Sequence, residues 1–328
     1  MSILEAEIAR VPEVVAGLAR VALAALERIA GLARAQRPTA LFTLARGSSD
    51  AAATYLAYRA AGIGVPTGSL PPSSISLEHA PLALPGAWLV AISQSGRSAD
   101  LVEAFGTLAS AAHVSIAITN DAAAPIAQRA QVVLHQTAGV ERSIAATTTF
   151  QASLALADGL IEAIEGHVQP ARFLALARCL AAPAACDLAP LIDATSALVL
   201  SRGASLAAAQ EVALKLKEAA GLHAEAMSAA EVMHGPRALA ARGIAVLALI
   251  PRGNAGASTA DAARALERLG ARVAWLRVPP SEETAQNPLA FDPSLLVQSF
   301  YRALPAFARA RGADPDAPPH LEKVTSTR

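Results

Sequence analysis

Apolar residues recur at helical spacing through Ile8, Val11, Val15, Leu18, Ala22, Leu26 and Ile29, which predicts one or two leading helices over residues 3–35. Beyond them the period changes. Short continuous apolar runs at 40–45, 88–92, 114–119 and 132–135 alternate with longer alanine-rich segments at 50–62, 98–112 and 122–130. Runs that are apolar on both faces predict buried strands, and their alternation with helices predicts a parallel sheet covered on both sides. A long helical stretch over 147–180 and a break at Ala182-Pro183-Ala184 precede a second round, with strands at 197–201, 244–250 and 273–278.

The second round repeats the first in sequence. Leu44-Ala45-Arg46-Gly47-Ser48-Ser49 aligns with Leu200-Ser201-Arg202-Gly203-Ala204-Ser205, in each case a strand, an Arg-Gly turn and a helix. Leu89-Val90-Ala91-Ile92-Ser93-Gln94-Ser95-Gly96 aligns with Leu247-Ala248-Leu249-Ile250-Pro251-Arg252-Gly253-Asn254. Chance likeness of alanine-rich segments would need two coincidences in the same order, so internal duplication is the better account. The expected organisation is leading helices over 1–36, a first α/β domain over 37–180, a second over 181–310, and a tail over 311–328.

Length agrees, since 328 residues suit two cores better than one core of about 150 residues. The 27 basic residues equal the 27 acidic ones, so no overall field draws the chain to nucleic acid or to an acidic membrane. A small, locally held ligand is the simpler expectation. Pro, Gly, Ser or Asn interrupts every uncharged stretch before it could span a bilayer, and the start has neither the basic region nor the apolar run of a signal peptide. Cys179 and Cys186 have no CxxC spacing and no nearby histidine. Buried thiols in a reducing cytoplasm are expected, with no metal site.

The candidate chemistry sits on the turns. Ser93-Gln94-Ser95-Gly96-Arg97-Ser98 follows a predicted strand and opens a helix, where backbone N–H groups and hydroxyls converge on a position that favours an anion. Gly47-Ser48-Ser49 offers the same geometry from another strand. One such turn reads as a helix cap, but two on successive βα units point to a bound phosphate beyond the carboxyl ends of the strands. The second repeat has Pro251-Arg252-Gly253-Asn254 instead, so one phosphate site per chain is expected. Glu211, Lys215 and Glu218 share one helical face, although spacing alone favours a solvated row of ion pairs. His234 is expected to end a short helix that Gly235-Pro236 stops, and a lone histidine is more often a cap or a packed residue than a catalyst. The tail around Pro318-Pro319-His320 reads by composition as disordered.

Taken in order, Gly47-Ser48-Ser49, Ser93-Gln94-Ser95-Gly96, Ala138-Gly139-Val140-Glu141 with Ala145-Ala146-Thr147, Ala213-Leu214-Lys215-Leu216-Lys217-Glu218, Glu231-Val232-Met233-His234-Gly235-Pro236 and Leu321-Glu322-Lys323-Val324-Thr325 carry a family resemblance. From about residue 40 to its end the chain resembles the tandem sugar isomerase (SIS) domains of the isomerase half of glucosamine-6-phosphate synthase and of its stand-alone relatives. The resemblance implies two doubly wound parallel-sheet domains, each a three-layer αβα sandwich. It implies that Ser48, Ser49, Ser93, Gln94, Ser95 and Ser98 hold a sugar phosphate, with Gly47, Glu141, Ala145 and Ala146 also against the substrate. Glu218 would move a proton between C1 and C2, a task for a carboxylate whose pKa burial raises. His234, from the neighbouring subunit of a dimer, would open the sugar ring. Lys215 would be the charge partner of Glu218, and Lys323 would close over the open-chain sugar, as a Schiff base or as a cation beside developing oxygen charge.

The departures from the family pattern bear on the substrate. Only leading helices precede the sugar domains in this sequence, so glutamine-dependent synthesis by this chain alone is not expected. Arg97 stands where the synthase has an acidic residue, Thr148 where it has a lysine, and Arg46 where it has a cysteine. The reading that follows is a cytoplasmic, cofactor-free deaminase converting glucosamine 6-phosphate to fructose 6-phosphate and ammonia. An aldose-ketose isomerase, a deglycase of a sugar-phosphate amine adduct and a synthase subunit fed by a separate glutaminase are the alternatives within the enzyme class. A non-catalytic sugar-phosphate sensor is the alternative outside it, although a sensor has no need of Glu218, His234 and Lys323.

Overall fold

The alternation of strands and helices is realised as two parallel sheets. The structure is a computed structural model and describes residues 1–279, 288–321 and 323. The first sheet contains β1 (Leu41–Leu44), β2 (Thr67–Ser69), β3 (Leu84–Ile92), β4 (Ala112–Thr119) and β5 (Val132–His135), ordered β2-β1-β3-β4-β5. The second contains β6 (Ser196–Ser201), β7 (His223–Ser228), β8 (Ala245–Ile250) and β9 (Arg272–Arg277), ordered β7-β6-β8-β9. Matching β1 to β6, β2 to β7, β3 to β8 and β4 to β9 gives the same spatial order twice. The sequence repeat is therefore also a repeat of topology.

The helices are α1 (Ile3–Val21), α2 (Leu23–Ala35), α3 (Ser48–Gly62), α4 (Pro72–Ser76), α5 (Ala99–Leu108), α6 (Pro125–Arg129), α7 (Thr148–Ile164), α8 (Pro170–Ala181), α9 (Leu206–Ala220), α10 (Gly253–Arg268) and α11 (Pro288–Ala310). The chain divides into two compact units. One comprises Val11–Glu141 and Thr148–Ala177 and holds the first sheet; the other comprises Met1–Arg10, Arg142–Thr147 and Arg178–Lys323 and holds the second.

In the first unit the central strand is sealed, with Trp88, Leu89, Val90, Ala91 and Ile92 all fully buried. Every residue of α7 is buried, which forces its one aspartate to find partners. Tyr55 Oη and Arg59 Nε each donate to Asp158 Oδ1 at 2.7 Å, tying α3 to α7. Burial, with the Asp158 charge beside it, pushes the Tyr55 hydroxyl well above its ordinary value, so the phenol stays a donor. The bond is neutral on one side and charged on the other, a combination stronger than an ordinary hydrogen bond.

Three elements escape the sequence pattern. Both β2 and β7 are edge strands, with exposed or half-buried residues at most positions, so they lack the continuous apolar run that marked the interior strands. α11 runs through Pro293 and Pro305, residues that argue against a helix from sequence. Burial of Phe291, Leu296, Phe300, Tyr301 and Leu304 outweighs that local cost.

The cysteines need a correction. Cys179 and Cys186 are half-buried free thiols rather than core residues, although burial still pushes the Cys186 thiol up to about 12. Among the described residues, no helix is long and apolar enough to cross a membrane.

Candidate active site

In the first unit, β1 and β3 are neighbours in register, Leu44 beside Ala91, so the turns that follow them lie side by side. Gly47 caps α3 at φ 57° and ψ −131°, a backbone that glycine adopts at little cost. Ser48 and Ser49 then form the first turn of α3. After β3, Ser93 is buried; its amide donates to Ile118 O at 3.0 Å, and its Oγ accepts from Gly96 N at 3.1 Å. Ser95 Oγ accepts from Arg97 N at 3.3 Å. Neither Gly47 nor Ser98 caps its helix through a side chain; the amides of Ser49 and Asp50 donate to Arg46 O and Gly47 O at 3.1 and 3.0 Å, and that of Leu101 to Asp100 Oδ1 at 2.9 Å.

Gly96 is fixed by its surroundings. Its φ is 61°, and a Cβ there would come within 2.6 Å of Ala124 Cβ and 3.0 Å of Thr119 Oγ1. Gly96→Ala should therefore destabilise the protein by about 2 kcal/mol or more, from left-handed strain and overpacking together. A thermal melt checks this, and an unchanged Tm would remove the steric argument.

The cradle also has a partner that spacing did not reveal. Arg46 Nε donates to Asp100 Oδ2 at 2.6 Å, so the residue before Gly47 is ion-paired to the first turn of α5. This clamps the two serine turns together, with Asp100 buried and Arg46 about half exposed. Burial raises the Asp50 carboxyl above its usual range, and the nearby Arg46 charge opposes that rise. Arg97 pairs instead with Asp121 at 2.6 Å, at the surface.

The corresponding turn of the second unit is filled from within. The Asp292 carboxylate accepts from Arg252 N and from Arg252 Nε, each at 2.7 Å. A carboxylate from α11 thus sits at the N-terminus of α10.

The acidic face of α9 is not solvated. Glu211 is fully buried, Lys215 is 1 % exposed and the Glu218 side chain 25 % exposed. Lys215 Nζ donates to Glu218 Oε2 at 2.6 Å and lies 3.5 Å from Glu211 Oε1. Tyr301 Oη, from α11, donates to the same Glu211 oxygen at 2.5 Å. The surface row favoured by spacing alone is replaced by a buried ion cluster. Tyr301 was missed, because nothing in the sequence links position 301 to position 211.

His234 ends the 3-10 helix Glu231–His234. Gly235-Pro236 does not stop the helical path as expected, because a second 3-10 helix, Pro236–Arg242, follows at once. Val232 is fully buried in the core of the second sheet, whereas His234 is exposed. Glu218 lies five residues before β7, and His234 lies six residues after it. The two residues thus flank β7, an edge strand whose six residues span roughly 20 Å.

The loop residues have structural partners. Glu141 accepts from Thr148 Oγ1 and Thr149 Oγ1, both at 2.8 Å, and from Thr149 N at 3.3 Å, which caps α7. Ala145 is buried, and Ala146 O faces Tyr301 Oη at 3.3 Å. Lys323 Nζ donates to Ser143 O at 2.5 Å, and the amide of Ser143 donates to Glu7 Oε1 at 3.2 Å. Asp316 accepts from Ile3 N and Leu4 N at 2.8 and 2.9 Å, so the stretch that composition reads as disordered caps α1. Glu322, Val324 and Thr325 of the tail motif lie outside the described residues.

The model of the SIS domain matches residues 36–163 and 190–279. A candidate phosphosugar isomerase from Silicibacter pomeroyi has a solved structure that aligns over 96 % of this chain and 100 % of its own, with a TM-score of 0.85 and 36 % identity. A glucosamine-6-phosphate deaminase from Thermotoga maritima aligns over 99 % of this chain and 100 % of its own, with a TM-score of 0.78 at 21 % identity, a likeness of fold alone. The glutamine-fructose-6-phosphate aminotransferase of Pyrobaculum aerophilum is 34 % identical over 72 % of this chain and 43 % of its own length. The chain thus spans less than half the length of that curated relative.

Proposed function

The chain belongs to the SIS domain family, and from that premise we propose that it is a phosphosugar enzyme that deaminates glucosamine 6-phosphate to fructose 6-phosphate and ammonia. The observation that carries this reading is the buried cluster on α9. It sets a partly exposed carboxylate, Glu218, against an ammonium held 2.6 Å away. A sensor of sugar phosphate would gain nothing from burying that charge, which costs desolvation.

In the proposed reaction, Ser48, Ser49, Ser93, Gln94, Ser95 and Ser98 bind the phosphate. Gly47 lets the backbone approach, and Glu141, Ala145 and Ala146 shape the substrate contacts. His234 opens the pyranose ring. Glu218 takes the C2 proton of the open-chain aldose, giving an enolamine, and returns a proton at C1. Water adds to the resulting C2 imine and ammonia leaves, so glucosamine 6-phosphate and water become fructose 6-phosphate and ammonia. The C1 carbonyl is the electron sink for the C2 proton transfer, so the scheme calls on no metal or organic cofactor. Lys323 leaves Ser143 O to steady charge on the sugar oxygens.

His234 is exposed, and we assign the ring-opening histidine to a second copy of the chain in a homodimer. The internal carboxylate at α10 supports a single phosphate site per chain. The two free thiols fit a cytoplasmic location.

Purified protein incubated with glucosamine 6-phosphate should release ammonia and form fructose 6-phosphate in equal amounts. Absence of ammonia, with a ketose phosphate forming from an aldose phosphate, would replace deamination by simple isomerisation. That second reading is favoured by the likeness to the candidate phosphosugar isomerase. Both reactions use the same proton transfer.

A further inference from the structure

We propose that Tyr301 is a positioning residue that sets how the single ammonium of Lys215 is shared between Glu211 and Glu218. This inference rests on Glu218 being the base. Tyr301 is fully buried on α11, and its Oη reaches two acceptors, Glu211 Oε1 at 2.5 Å and Ala146 O at 3.3 Å. A phenol has one proton to donate. The shorter contact to a carboxylate is the stronger one, since charge-assisted O–H bonds close to this length.

Two donors therefore converge on one oxygen of Glu211, the phenol at 2.5 Å and Lys215 Nζ at 3.5 Å. The same ammonium lies 2.6 Å from Glu218 Oε2. Two carboxylates and one ammonium cannot all be paired equally in a water-poor site. The tyrosine supplies the closer partner to the deeper carboxylate, so the ammonium is held nearer the shallower one. Without the phenolic proton, Glu211 would be a fully buried anion with the Lys215 ammonium 3.5 Å away. Lys215 would move toward it, and Glu218 would lose the contact that fixes its oxygens relative to the substrate carbon. A base displaced by about 1 Å costs as much as a hundredfold in rate.

Tyr301 is itself fixed along α11. Asp292, one helical stretch earlier, anchors the start of α11 through its pairing with Arg252. The Asp292–Arg252 pair thus holds the start of the helix that carries the ring.

The test uses the chain's own scarcity of lysine. Its only lysines are Lys215, Lys217 and Lys323, so protein labelled with 15Nζ-lysine gives three ammonium signals, each assignable by a single Lys→Arg variant. In Tyr301→Phe the Lys215 signal should move while those of Lys217 and Lys323 stay in place, at unchanged circular dichroism. With glucosamine 6-phosphate, kcat should fall about tenfold or more at constant KM, and adding Glu211→Gln should cost little further, because the pair acts as a unit. A Lys215 signal that does not move in Tyr301→Phe overturns the proposal, as does a kcat equal to that of the wild type. If the wild-type protein turns over no sugar phosphate, the deaminase reading fails, and the lysine spectrum still decides whether Tyr301 governs Lys215.

Discussion

Glu218→Gln should lower kcat for proton transfer by about a thousandfold, in the middle of the range attributed to a positioned general base. The amide has almost the volume of the carboxylate and keeps an oxygen that can accept from Lys215 Nζ, now 2.6 Å from Glu218 Oε2, so folding and sugar-phosphate binding should survive. Two measurements separate the outcomes. Initial rates of ammonia release report chemistry, and titration calorimetry with fructose 6-phosphate reports binding. A variant that binds but does not turn over places the base at Glu218. Activity within tenfold of the wild type would show that another group removes the proton. Solvent-deuterium incorporation at C1 and C2 should fall with turnover, since both depend on the same step.

The second large effect is expected on stability. Lys215→Met keeps a long, flexible side chain in a site that is 1 % exposed and removes only the ammonium. Glu211, fully buried, then keeps Tyr301 Oη as a partner at 2.5 Å but loses its cation. Removing one member of a buried ion cluster costs about 3–5 kcal/mol, because the remaining charge is uncompensated. That corresponds to a fall in Tm on the order of 10 °C for a protein of this size. Equilibrium urea unfolding measures it directly, and a loss below about 1 kcal/mol would mean that the cluster is better hydrated than its burial indicates. Activity should also fall, as Glu218 loses its ammonium. Comparison with Glu218→Gln separates the roles, since that variant loses rate without a comparable loss of stability.

Much of the fold is legible along the chain. The interior strands are continuous apolar runs because both faces are covered, and Trp88 to Ile92 are fully buried as that pattern requires. The Arg-Gly turns are repeated because each ends the first strand of its sheet. The edge strands β2 and β7 were not legible, since an edge needs only one apolar neighbour and carries polar residues such as Thr67, His223 and Glu225. α11 was hidden by Pro293 and Pro305, whose local cost is outweighed by burial that only the folded chain provides.

The site divides in the same way. Sequence located the serine turns, because a strand, a small-residue turn and a helix are contiguous, and each turn needs only local geometry. It also put Glu211, Lys215 and Glu218 on one face of a helix, since that follows from 3.6 residues per turn. It could not say whether that face meets water or protein. Depth is a property of what packs against a helix, and α11, which supplies Tyr301, is about ninety residues away along the chain. The Arg46–Asp100 clamp and the Asp292 carboxylate at α10 arise in the same manner, from residues distant in sequence that tertiary packing brings together. What the chain determined by itself were the elements and the local turns, because these depend on neighbours a few positions apart. The tertiary structure alone decided which charges are paired and which carboxylate remains partly exposed, because a buried charge persists only where the fold brings it a partner.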